Sequence, residues 1–177
     1  MKTLKRIIII SLLVVSFGAI GQNDKDKEIM ADAQKAKQTL IAADKGLEKF
    51  FNNASGYAIF PNVGKGGLII GGASGNGVVY KNGIAIGMTS LKKINVGLQA
   101  GGQAVIQVIF FETDEALEKF KKGNYEFSAE ASAVIAEEGT SENANYSDGV
   151  VVFALPKAGL MVDASIGGQK FEFHSFK

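Results

Sequence analysis

A chain of 177 residues with 19 basic and 18 acidic side chains carries a formal net charge of +1, too little to draw in nucleic acid electrostatically. It has no cysteine, which excludes disulfides, thiolate metal sites and thiol catalysis together. With 46% of its residues hydrophobic, it is long enough for one domain with a sizeable apolar core.

At the N-terminus Lys2, Lys5 and Arg6 precede the apolar run Ile7 to Phe17, and Ala19 and Gly21 supply small residues at the −3 and −1 positions. This is the pattern of a signal peptide over residues 1–21, cleaved before Gln22. The apolar run is too short for a helix that must cross roughly 30 Å of hydrocarbon. Residues 22–177 are then expected as a single domain, periplasmic or secreted and able to associate with a membrane. Without Lys2, Lys5 and Arg6 the basic residues fall to sixteen against eighteen acidic ones, and no arginine remains. Any phosphate would have to be held by lysine ammoniums or backbone N–H groups, without the bidentate fork of a guanidinium.

From Glu28 the residues Ile29, Ala33, Ala36, Leu40, Ala43, Leu47 and Phe50 recur at spacings of four and three, which predicts one apolar helical face over residues 28–53. Gly46 predicts a break near Ala43, with Asp44 placed to cap a second, shorter helix. Tyr57 to Ser90 then reads as a meander of short strands punctuated by glycine. Tyr57 to Phe60 is expected to stop at Pro61-Asn62, and Gly67 to Gly72 and Gly77 to Lys81 to be strands joined by Ala73 to Asn76. Asn82-Gly83 predicts a tight hairpin, since both turn positions favour positive φ. Leu91 to Lys93 is expected as a loop, followed by the alternating run Ile94 to Leu98. Gln103 to Phe111 is apolar almost throughout, as in a strand covered on both faces.

Thr113 predicts a helix N-cap, with Asp114 and Glu115 in the first turn and Lys119, Lys121 and Lys122 before Gly123, every charge suited to the helix dipole. Tyr125 to Ala133 alternates as a half-exposed strand. Glu137 to Ser147 is the expected flexible acidic loop, and Gly149 to Leu155, Gly159 to Ile166 and Gln169 to Phe173 complete the strands. The fold class expected is α+β, a mainly antiparallel sheet, curled or barrel-like, with an N-terminal helical region and one further short helix against it.

Catalytic chemistry is not legible. His174 is the only histidine, and no nucleophile, base and orienting acid can be assembled around it. The carboxylates show no metal-ligand spacing, and neither glycine loop continues as a dinucleotide or phosphate-binding motif. A non-enzymatic role without cofactor or metal is expected. One cluster points to binding: Lys65 in the glycine-rich loop and Lys92-Lys93 in another loop of the same β region would hold a phosphate head group if the strands bring them to one rim.

The ordered set Gly56-Tyr57-Ala58-Ile59-Phe60-Pro61, Lys65-Gly66-Gly67-Leu68-Ile69-Ile70-Gly71-Gly72, Gly75-Asn76-Gly77-Val78-Val79, Tyr146-Ser147-Asp148-Gly149-Val150 and Gly159-Leu160 resembles the SYLF domain, or Ysc84 actin-binding domain family, from about Lys27 to Phe173. The resemblance implies phospholipid or membrane-surface binding through an N-terminal amphipathic helix. Carried onto this chain, that helix is Lys27 to Ala43, with Lys35 and Lys37 near head groups and Ile29, Leu40 and Ile41 toward acyl chains. Export would place the chain where actin is absent, so actin binding is not carried over. The alternative expectation is an envelope scaffold that binds a protein partner through the sheet edge or the loop 137–147.

Overall fold

The computed structural model describes residues 24–65, 72–94, 103–123, 132–135, 138–157 and 169–176. The signal segment and the expected strand Gly159 to Ile166 lie outside them, as do most of the expected strands at 67–72, 94–98 and 125–133. The N-terminal helical region is two helices, α1 (Asp24–Ala43) and α2 (Leu47–Asn53), and the break falls at Asp44 to Gly46 as the sequence predicts. The periodic stripe is the buried face: Ala33, Ala36 and Leu40 from α1 and Leu47, Phe50 and Phe51 from α2. Asp44 does not cap α2 in the expected way. Gly46 is the N-cap, and the Asp44 carboxylate accepts from Gly46 N at 2.9 Å and also from Ser141 N and Oγ.

Seven strands follow among the described residues: β1 (Gly56–Lys65), β2 (Gly72–Lys81), β3 (Ile84–Ile94), β4 (Gln103–Phe111), β5 (Ser132–Val134), β6 (Val150–Pro156) and β7 (Gln169–Ser175). They form one sheet in the order β5-β6-β4-β1-β2-β3-β7, antiparallel throughout except for the β5–β6 pair. The Asn82-Gly83 hairpin is present with φ of 50° and 77°. α3 (Asp114–Lys121) has the expected cap, Thr113 Oγ1 accepting from Ala116 N at 3.2 Å.

Four local expectations are corrected. Pro61 does not end β1, which runs on to Lys65. The register of β1 shifts against both neighbours here, between Phe60 and Val63 opposite β4 and between Ile59 and Gly64 opposite β2. A bulge is one of the few places where an interior strand tolerates a residue without an N–H. Ala73 to Asn76 is likewise strand, part of β2, and Leu91 to Lys93 belongs to β3. The expected loop after Glu137 carries a 3₁₀ turn, Thr140–Asn143, whose Ser141 is buried and bonded to Asp44.

Helices cover both faces of the sheet. α1 and α2 lie over Tyr57, Ile59, Val78, Tyr80, Val108, Phe110, Val151 and Phe153, and α3 lies on the opposite face with Phe60, Val79, Ile109, Phe111, Val152 and Phe171. On the α3 side the sheet curls. Phe120 of α3 sits 4.9 Å from Phe111 of β4 and 5.1 Å from Phe171 of β7, ring centre to ring centre. Gln107 of β4 and Gln169 of β7 exchange amide hydrogen bonds at 3.0 and 3.3 Å although three strands separate them in the sheet. Among the described residues the curl does not close: β5 and β7 end the strand order, so the barrel-like expectation is replaced by an open, curled sheet.

Candidate functional site

The residues expected to touch lipid through α1 are divided by the fold. Leu40 is fully buried against the sheet, while Ile29 and Ile41 are half-buried at the edge of the same cluster. Lys35 is exposed and pairs with Asp32 at 3.6 Å. Lys37 is drawn inward, its Nζ 4.6 Å from the Phe51 ring centre and donating to Tyr57 Oη at 3.4 Å, and burial lowers its pKa. Tyr57 stacks on Tyr80 at 4.9 Å. Burial, then the neighbouring Tyr57, push the Tyr80 phenol up to about 12 against the opposing hydrogen bond from Gln34. These groups seal the helix to the sheet. The apolar face of α1 is therefore occupied by the core, not presented outward as the resemblance implied.

The lysines expected in loops lie on strands instead, and the register brings them to one end of the sheet. One row runs Ala104, Gly64, Ser74, Lys92, Lys170 across β4, β1, β2, β3 and β7, and the next runs Gln103, Lys65, Ala73, Lys93, Gln169. Lys92 makes an exposed ion pair with Glu172 at 3.7 Å, of a kind worth little net stability. Lys170 is a member of this group that the sequence reading missed. Its signal was the alternation of Gln169, Phe171 and Phe173 with Lys170 and Glu172, which puts the charges on the other face.

Beside these rows a cleft of about 490 Å³ opens between the first turns of α1 and strands β1 to β3. Its helical wall is Lys25, Glu28, Ile29 and Asp32, the spacing of one helix face. Its floor includes Ser74 and Asn76 of β2 with Ser90 and Lys92 of β3, directly paired as Asn76–Ser90 and Ser74–Lys92. The cause is legible in β2. Where β2 reads Val78, Val79, Tyr80, α1 packs down on it; where it reads Gly72 to Gly77, with only small and polar residues, no side chain among the described residues fills the space beneath the helix. The bulge at Pro61 and Asn62 forms the remaining side. Ile29 and Lys92 are the two predicted site residues that meet here. His174 is exposed on β7 opposite Met88, and no group of three or more metal-ligating side chains is found among the described residues.

Residues 92–175 match the family model Ysc84, described as a Las17-binding protein actin regulator. Beta cell expansion factor A of Aeromonas veronii is 30% identical over 164 residues, 84% of this chain and 62% of that protein. Both similarities point to the Ysc84 (SYLF) family, the family model over just under half of the chain. It spans about three-fifths of the length of this curated relative. The Ysc84 model covers the end of β3 through β7, and therefore Lys92, Lys93 and Lys170. The helical wall of the cleft and β1 and β2 precede it, but a similarity over 84% of the chain must extend into that half. The Ysc84 family is one of binding domains rather than of enzymes.

Proposed function

We propose that this chain is an exported, non-enzymatic Ysc84-family domain that binds phospholipid at a membrane surface, making contact through the lysine-bearing end of its sheet. The observation that carries this reading is the register, which brings Lys65, Lys92, Lys93 and Lys170 to one end of the sheet, Lys92 with Lys170 in a row of one face and Lys65 with Lys93 in a row of the other. The docked helix argues against insertion of the α1 face. Moving Leu40 from the core to acyl chains exchanges one apolar environment for another and gains almost nothing, while it uncovers Tyr57, Ile59, Val78 and Tyr80, at about 25 cal/mol per Å² of apolar area exposed. No helix among the described residues is long and apolar enough to cross a membrane, which fits contact at the surface. Support for export comes from Lys2, Lys5 and Arg6 ahead of Ile7 to Phe17.

A lysine near an anionic surface contributes about 1 kcal/mol, roughly fivefold in affinity, and this contribution is screened by salt. Flotation with vesicles of phosphatidylcholine alone and with added phosphatidylglycerol tests the proposal. Binding to the anionic vesicles is expected to weaken at high salt and to fall in Lys92→Glu and Lys170→Glu, both exposed and tolerant of change. Binding that persists through high salt and both charge reversals would move the contact elsewhere on the chain.

A further inference from the structure

We propose that the cleft under the first turns of α1 is a binding site for a neutral, polyhydroxylated ligand, a saccharide or polyol group carrying adjacent hydroxyls. The inference stands on the cleft, which shares Lys92 with the lysine rows but does not depend on their being a membrane contact.

The sheet-facing stripe of α1 changes character along its length. Ala33, Ala36 and Leu40 are buried on the sheet, whereas Lys25, Glu28 and Asp32 on the continuation of that stripe line an open space. A stripe that served only to dock a helix would stay apolar to its end. Opposite the charged half, the strands present hydroxyls and an amide, from Ser74, Asn76 and Ser90, with Asn62 at the bulge. Gly75, between them, offers the cleft only its backbone, since its missing side chain would project to the other face of the sheet, against the Asn62 carbonyl oxygen and Val63. Polar groups thus face each other across about 490 Å³, within the range of small-ligand pockets and larger than one sugar ring needs.

The charge pattern selects the ligand class. Lys25 and Lys92 line the cleft together with Glu28 and Asp32, and Lys92 and Asp32 are themselves paired with Glu172 and Lys35, so an anion entering the cleft meets carboxylates and a cation meets ammoniums. A neutral ligand with many hydroxyls meets neither penalty. Carboxylates accept from hydroxyl O–H groups, ammoniums donate to hydroxyl oxygens, and asparagine does both. Ile29 and Pro61 supply apolar surface for the C–H face of a ring, and the half-burial of Ile29 leaves part of it open to contact.

The test is an amide chemical-shift titration of the protein with maltose, diacetylchitobiose and myo-inositol as neutral probes, and with inorganic phosphate and choline chloride as charged ones. At least one neutral probe is expected to shift the amides of Gly64, Gly75, Asn76 and Ser90 saturably, and phosphate and choline are expected to leave them in place. Asn76→Trp, which fills the cleft from an exposed position, and Asp32→Ala, on the exposed surface of α1, should each weaken the response at least tenfold. Preserved shift dispersion reports that each variant is folded. Lys170→Glu should change vesicle flotation and leave the titration untouched. The proposal is overturned if no neutral probe shifts these amides, if phosphate or choline shifts them instead, or if the response survives both cleft variants.

Discussion

At the residue scale Asp44 is the tightest single link between distant parts of the chain. It is inaccessible to solvent and accepts from Ser141 N at 2.7 Å, from Ser141 Oγ at 2.9 Å and from Gly46 N at 2.9 Å. Burial raises its pKa, but the bonds from Ser141, Gly46 and the Gly139 backbone outweigh that and leave the carboxyl below its ordinary value. A depressed folded pKa stabilises the fold fully above the unfolded value, about 3.9, and the contribution is lost as pH falls through the folded value. Asp44→Ala leaves several buried donors unpaired and should cost about 3 kcal/mol in urea unfolding at pH 7. The stability gap between wild type and Asp44→Asn should narrow as the pH is lowered below about 4. Sequence reading saw a cap in Asp44 and a flexible loop around Ser141, because nothing local connects two residues 97 positions apart. Thr89 is the opposite case: its hydroxyl is buried without a partner among the described residues. Thr89→Val should therefore hold or raise stability, by up to about 1 kcal/mol in the same unfolding assay.

At the scale of elements, what the sequence made legible is what neighbours in the chain decide. The Asn82-Gly83 turn, the Thr113 cap, the break after Ala43 and the doubly covered β4 each follow from a few adjacent residues. What was illegible depends on a partner strand. Pro61 reads as a terminator until β4 and β2 are seen to share a bulge with β1, and Lys92-Lys93 reads as a loop until β7 is seen to pair with β3. The same limit applies to the site, since periodicity revealed the apolar stripe of α1 but could not say whether sheet or lipid covers it. Burial answers this with a measurable consequence. Leu40→Ala should destabilise the protein by about 3 kcal/mol, within the range for a leucine truncated in a core, whereas a leucine reserved for lipid would tolerate the change in solution. The Gln107–Gln169 pair makes a second element-scale prediction, because it reports the curl that brings β7 toward β4. Gln107→Leu or Gln169→Leu alone strands a buried amide and should cost about 1–3 kcal/mol, while the double variant should recover most of the loss.

At the scale of the whole molecule, the recognised family segment and the folded unit do not coincide. Residues 92–175 contain β4 through β7 and the last residues of β3, yet the strand order places β1 and β2 between β4 and β3. Without them the segment falls into two groups, β5-β6-β4 on one side and the end of β3 with β7 on the other, with no strand between them and only α3 and the Gln107–Gln169 pair to link them. Tyr57, Ile59, Val78 and Tyr80, with the helices that cover them, also supply much of the core on the α1 face, and Phe110 and Phe153 of the segment would lose Phe50 and Phe51 as ring partners. A fragment of residues 92–177 should accordingly show little chemical-shift dispersion and no cooperative unfolding transition, because two- or three-stranded pieces with uncovered apolar faces are marginal in water. Mixing it with a second fragment, residues 22–91, should restore dispersion as β1 inserts beside β4. The curvature of the sheet depends on this same insertion, since β1 and β2 carry the strand sequence from β4 round to β7. An independently folded 92–177 fragment would mean that β4 can pair directly with β3 or β7, and the lysine rows and the cleft, both built across β1 and β2, would then be features the family segment does not require.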